Sequence, residues 1–263
     1  MIRRTALLST FGMSLLLGAC SENKDIAAQS QPAATKGSSS SVNGWPTVGP
    51  LVAGSYRASC GPMMAPQQEN VGVTIGADGK FAASGFDTDL RGAGQILLSR
   101  NRDSEGKYAT SAMFAMKTEA AGMITLQAGA DGENGALLVR GDDTLVCSGL
   151  AGLDKLNAKP LYLALGDIID GKKQTLSCLD PGNIGAQRAR DVEFAGGVIR
   201  IGSTSFDTQA TVSEILSFDN VEGVISLQYH MADKSVTNLV YDAAGRLTSV
   251  VGMGPQGMIH SCQ

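Results

Sequence analysis

The sequence predicts an all-β protein made of two tandem, internally repeated antiparallel domains, each a small β-barrel or β-sandwich carrying one disulfide. Three observations carry this. Short apolar stretches alternate with turn signals about every ten residues, and 33 of the 263 residues are glycine, which fits a meander far better than a helical bundle. The same landmarks then occur twice in the same order. Finally, four cysteines stand at the starts and ends of the two copies, where one bridge in each would tie a first strand to a last one.

The first copy reads Tyr56-Arg57-Ala58-Ser59-Cys60, then Phe86-Asp87-Thr88, Gln95-Ile96-Leu97-Leu98-Ser99 and Glu105-Gly106. The second reads Gln174-Thr175-Leu176-Ser177-Cys178, then Phe206-Asp207-Thr208, Glu214-Ile215-Leu216-Ser217 and Glu222-Gly223. Each copy closes on a cysteine after a short apolar run, at Cys147 and at Cys262. Four cysteines allow three pairings, and the repeat selects Cys60 with Cys147 and Cys178 with Cys262. Closing loops of this length stabilises by about 4 to 5 kcal/mol in the chain-entropy model.

Within the first copy, Val71 to Ile75 and Lys80 to Ala83 flank Asp78-Gly79, a pair suited to the positive φ of a hairpin turn. In the second, Val192 to Phe194 and Val198 to Ile201 flank Gly196-Gly197. Further strands are expected at Ser111 to Met116, Met123 to Gln127, Ala136 to Val139, Val224 to Tyr229, Leu239 to Asp242 and Leu247 to Val251, with a turn at Asp242 to Gly245. Between the copies, Leu153, Leu156, Leu161 and Leu165 have helical spacing, but Pro160 argues against one continuous helix. This gives a first β domain over 49–150, a linker over 151–172 and a second β domain over 173–263.

Ahead of the β region lies an address. Arg3 and Arg4 precede an apolar run, Ala6 to Leu17, that is too short to span a bilayer and ends in Leu17-Gly18-Ala19-Cys20. These residues resemble the lipobox of bacterial lipoproteins. The resemblance implies a signal peptide over 1–19, lipidation of Cys20 as the first mature residue, and a membrane anchor made of acyl chains. Ser21 after the cysteine resembles the outer-membrane sorting class and implies a lipid-anchored location in the bacterial cell envelope, at the outer membrane. Residues 20–48, poor in large apolar side chains, are expected to form the anchor and a disordered tether. As a flexible coil of about 28 residues, the tether would average ~30 Å end to end.

The chain has 21 Lys and Arg against 25 Asp and Glu, a net charge of −4. Removing residues 1–19 takes two arginines and leaves 19 basic against 25 acidic residues, or −6. With no basic run interleaved with aromatics, a nucleic-acid partner is not expected.

Catalytic chemistry finds little support. The disulfides and lipidation use all five cysteines, and no Gly-x-Ser-x-Gly elbow, Walker loop or dinucleotide fingerprint is present. A triad from His230, Asp233 and a serine lacks any marked nucleophile. No catalytic residue and no cofactor is therefore expected. Asp87 and Asp207 occupy matching places in the repeat; the reading favoured for them is structural, with Phe86 and Phe206 in the cores and each Asp or Thr capping a strand end. Asp131-Gly132-Glu133-Asn134 reads as a solvated hairpin tip rather than a calcium loop. His230, Met231, Met253, Met258 and His260 offer imidazole and thioether ligands of the kind that suits Cu(I), although methionine also fills irregular apolar gaps.

Gly61-Pro62-Met63-Met64-Ala65-Pro66 reads as a rigid loop whose apolar tips a partner could grip. Pro62, Met63, Met64, Asp87 and Asp207 are accordingly the candidate binding residues. Together these features point to a membrane-anchored, non-catalytic module that binds a periplasmic or extracellular protein, as an inhibitor or immunity protein would. A structural component of an envelope complex and a copper-binding protein are the alternatives. The architecture broadly resembles membrane-bound lysozyme inhibitors, which are small disulfide-tied β-barrels on lipoproteins. Their loop motifs are missing here, so neither target nor site residues transfer.

Overall fold

Trp45, Val48, Gly49 and Val52 share one face of an α-helix, α1 (Trp45–Val52), and are buried together. The computed structural model that shows this describes residues 44–63, 65, 67–117, 122–180 and 183–263. Pro in the first turn suits the helix start. The Trp45 indole donates to the Ala77 carbonyl at 3.1 Å, and its ring lies 6.1 Å from Phe114. A Cβ on Gly49 would fall 2.7 Å from the Trp45 ring, so only glycine lets the indole fold back here. The helix corrects the expected boundary at 48/49. Trp45 and Val48 belong to the core, because a helical spacing of Trp and Val outweighs the polar composition before it. The signal segment, Cys20 and Met64 lie outside the described residues.

Nine strands follow: β1 (Gly54–Pro62), β2 (Gln68–Ile75), β3 (Lys80–Ala83), β4 (Phe86–Asp89), β5 (Ala93–Arg102), β6 (Tyr108–Met116), β7 (Met123–Ala128), β8 (Gly135–Arg140) and β9 (Asp143–Ser148). The segment expected as a linker then contributes a 3-10 turn at Leu153–Asn157 and a short helix, α2 (Tyr162–Leu165), which begins only after Pro160. Leu150, Leu153, Leu156, Leu161, Tyr162, Leu165 and Ile169 are buried, so this stretch is core rather than an exposed connection. The second nine strands are β10 (Lys172–Asp180), β11 (Asn183–Ala195), β12 (Val198–Ile201), β13 (Thr204–Asp207), β14 (Thr211–Asp219), β15 (Val224–Met231), β16 (Val236–Tyr241), β17 (Leu247–Gly254) and β18 (Gly257–Cys262).

All pairings are antiparallel. In the first nine they run β4-β3-β2-β1-β9-β8-β7-β6-β5. In the second nine they run β13-β12-β11-β10-β18-β17-β16-β15-β14, the same order with each strand number raised by nine. Strand β5 pairs with β14 over seven residues and joins the two into one sheet. The stretches expected as separate domains are thus halves of a single hydrogen-bonded structure, and the described residues fall within one compact unit. At the centre of this seam Leu98 faces Leu216, with Ile96 opposite Phe218 on one side and Arg100 opposite Glu214 on the other.

Both disulfides form as read. Cys60 bonds Cys147 across β1 and β9, and Cys178 bonds Cys262 across β10 and β18. The turns follow their residues too. Gly79 has φ 85°, Gly196 and Gly197 have φ 57° and 82°, and each lies between strands where expected.

Candidate functional site

Strand β1 ends in Cys60, Gly61 and Pro62, and its pairing with β9 sets Cys60 against Cys147 and Pro62 against Leu145. The β8–β9 turn brings Asp142 and Asp143 to the same end, and the β3–β4 hairpin brings Phe86. These residues enclose a cleft of about 640 Å³ whose lining includes Pro62, Met63, Phe86, Asp142, Asp143 and Leu145. Arg140 fixes one wall. Its guanidinium lies 4.7 Å from the centre of the Phe86 ring and donates to the Gly85 carbonyl at 3.3 Å. The two hairpins are thereby held together, with the Arg140 charge directed at the ring and backbone. What remains is a floor formed by buried Leu145, an exposed Met63 tip and two exposed carboxylates. Such a surface accepts a long cationic side chain, stem against the apolar floor and charge against the aspartates.

Pro62, which ends β1 rather than lying in a loop, and the exposed Met63 after it both line this cleft. The aspartates that line it are ones the sequence reading passed over. Asp142-Asp143 lies in a short turn and gave no signal beyond ordinary solvation. Asp87 and Asp207 are not brought together. They are exposed, on β4 and β13 at opposite ends of the strand order. Nor are they counterparts. Asp207 accepts from the Gln209 amide at 2.8 Å and caps the 3-10 turn Thr208–Ala210, whereas in the first half this role falls to Asp89, which accepts from the Arg91 amide at 3.0 Å and caps Leu90–Gly92. The matched bonds Leu90 N–H to Gly79 and Thr208 N–H to Gly197 fix the same alignment. The Phe-Asp-Thr match is therefore two residues out of structural register. Phe86 and Phe206 are half-buried and pack against the core margin rather than filling the cores.

The imidazoles lie on opposite faces of the sheet. His260 is buried, while His230 follows buried Tyr229 and so projects from the other side. Met253 faces Met258 on β18, but Val236 separates it from His230. Alternation along strands therefore splits the proposed Cu(I) ligands. Among the described residues no group of three or more His, Cys, Asp or Glu is placed to hold a metal ion. The His260 ring meets Phe206 edge-on at 5.1 Å, and burial, with a smaller contribution from Arg190, holds its pKa below the ordinary histidine value. Asp233 binds the Ser235 amide and hydroxyl, at 2.9 and 2.6 Å, which lower its pKa and occupy it locally rather than with His230. Asp131 accepts from the Glu133 amide at a hairpin tip.

A second groove, of about 470 Å³, lies between α1 and the stretch that runs from Lys155 into α2. Its apolar lining includes Leu51, Leu156, Pro160 and Leu163, with Lys155 and Lys159 beside it. The sequence reading gives no sign of it, because Leu51 falls in the expected first β domain and Leu156, Pro160 and Leu163 in the expected linker.

The fold and the cleft define a disulfide-tied, all-antiparallel β protein with a mixed acidic and apolar recess. Comparison with protein families, with curated proteins and with solved structures gives no match for this chain. No helix among the described residues is long and apolar enough to cross a membrane.

Proposed function

We propose that this protein is a lipid-anchored envelope lipoprotein that binds another extracytoplasmic protein without catalysing a reaction. The observation that carries the reading is the cleft beside the Cys60–Cys147 bond, where Pro62 and Met63 meet Asp142 and Asp143. The partner presents a lysine or arginine on an exposed loop. The lipobox-like Leu17-Gly18-Ala19-Cys20 supplies the anchor, and residues 21–43 the reach. The matched strand orders are read as an internal duplication, each half curling into its own barrel under its own short helix.

Affinity capture from envelope extract with the oxidised mature chain tests this, run beside Asp142→Lys/Asp143→Lys and a reduced control. A basic protein held by the parent and released by the charge reversal is the expected result. The same proteins held equally by both forms would exclude the cleft. Anchoring is tested separately by labelling with a radioactive fatty acid, which should mark the parent and spare Cys20→Ser.

A further inference from the structure

The two halves match in strand order but differ in what fills one level of their interiors. Starting at the seam, Ile96 faces Phe114, which faces Ile124, then Leu138, then Leu145, an unbroken apolar row across β5 to β9. The matching row of the second half starts at Glu214 and continues through Tyr229, Thr237, Gly252 and His260. Both rows end two residues before the closing cysteine, at Leu145 and at His260, which confirms the correspondence. Across the seam the second row extends through Arg100 to Thr110. Residues directly opposite one another share a face, so this is one line of polar side chains, interrupted only at Gly252, on the buried side of the sheet.

The line is tightly enclosed. Thr110 is 1%, Arg100 5%, Glu214 3%, Tyr229 0%, Thr237 2% and His260 5% exposed. Glu214 is well held: it accepts from the Leu161 amide at 2.8 Å and from Arg100 at 3.3 Å. Its neighbours are not. Arg100 Nε, Thr110 Oγ1, Tyr229 Oη and His260 Nε2 have no hydrogen-bond partner, nor has Asn157 Oδ1, whose backbone carbonyl accepts from Arg100. The His260 ring lies over Gly252, where a Cβ would come within 2.7 Å of Nε2, so this nitrogen sits on the row itself. Stranding so many buried polar atoms is costly, and native interiors rarely do so.

We propose that the buried polar row, running from the second half across the seam to Thr110, is a binding site for small uncharged hydroxylic molecules, the size of one or a few waters, seated along it. The chemistry of the unmet groups selects that class. Arg100 and Glu214 neutralise one another, so no net charge is left to hold an ion. Arg100 Nε–H can only donate, and Asn157 Oδ1 can only accept. Burial holds the His260 pKa below the ordinary histidine value, and a neutral ring can present Nε2 as an acceptor. A hydroxyl, which donates and accepts, satisfies all of them, as buried water does in polar interiors.

The test is the sign of a stability change in the full mature chain. Tyr229→Phe and Thr110→Val each remove the hydroxyl with little change of shape. A hydroxyl bonded to a seated molecule is missed when lost, and the unfolding midpoint falls by about 2 to 4 °C for a chain of this size. A bare buried hydroxyl is better removed, so an unchanged or raised midpoint in both variants overturns the proposal. A crystal structure should show ordered density within hydrogen-bonding distance of Tyr229 Oη, and side chains that instead pair with one another would overturn it too. Glycerol titration separates the two sources: a saturable rise in the parent's midpoint, abolished by Tyr229→Phe, assigns a polyol, whereas ordered density without that rise assigns water.

Discussion

Replacing the buried ion pair at the seam by its own mirror image tests how the halves are joined. Arg100 and Glu214 stand at positions that on the other side of Leu98 and Leu216 are held by Phe218 and Ile96. Their side chains are 6% and 3% exposed and 3.3 Å apart. Arg100→Phe alone strands a buried carboxylate, and Glu214→Ile alone strands a buried guanidinium; each should cost about 3 to 5 kcal/mol. The double variant strands neither. Exchanging a buried pair for packed apolar residues often stabilises by about 1 to 4 kcal/mol, offset here by about 1 to 3 kcal/mol for the Leu161 amide that loses Glu214. It should therefore lie within about 3 kcal/mol of the parent, far above the sum of the single losses. Burial raises the Glu214 pKa despite the opposing Leu161 amide and Arg100. The unfolded carboxyl then ionises first, so the parent loses stability as pH rises from the ordinary glutamate range through the raised value, and the double variant lacks that slope. Urea denaturation across pH measures both. A double variant as unstable as the two single losses together would refute the reasoning.

Three further outcomes follow from named contacts. Asn220 is buried, accepts from the Gly44 amide at 3.0 Å and donates to the Ala93 carbonyl at 2.8 Å; Asn220→Ala should cost about 2 to 5 kcal/mol in equilibrium denaturation. Gly252→Ala places a methyl 2.4 Å from His260 Cδ2 and should destabilise by about 1 to 3 kcal/mol, a loss largely recovered on adding His260→Ala, as a thermal-melt cycle would show. Cys178→Ser with Cys262→Ser opens a bridge spanning 84 residues and should lower stability by about 4 to 5 kcal/mol in the chain-entropy limit, read from the denaturation midpoint.

Much of the strand layout was legible locally. Asp78-Gly79 and Asp242 to Gly245 turn where expected, since positive φ and side-chain caps are properties of a few adjacent residues. The cysteine pairing was legible through repetition. Trp45 to Val52 was not, because a short helix among prolines and glycines is stabilised by what it packs on rather than by its own propensity. Asp87 was matched to Asp207 by identity, whereas hairpin geometry makes Asp89 the counterpart. Asp142 and Asp143 had no distinguishing pattern until the β8–β9 turn met the β1 end.

Alternation, turn chemistry and paired landmarks, which are local or repeated signals, determined on their own that the chain is antiparallel β, that it turns at these glycines and that each cysteine has this partner. Which edge strands meet is decided by complementarity between residues more than a hundred positions apart, and nothing local to β5 or β14 announces it. Only the tertiary structure could therefore set Arg100 against Glu214, line Tyr229, Thr237 and His260 along one buried row, and carry Met63 to the acidic turn.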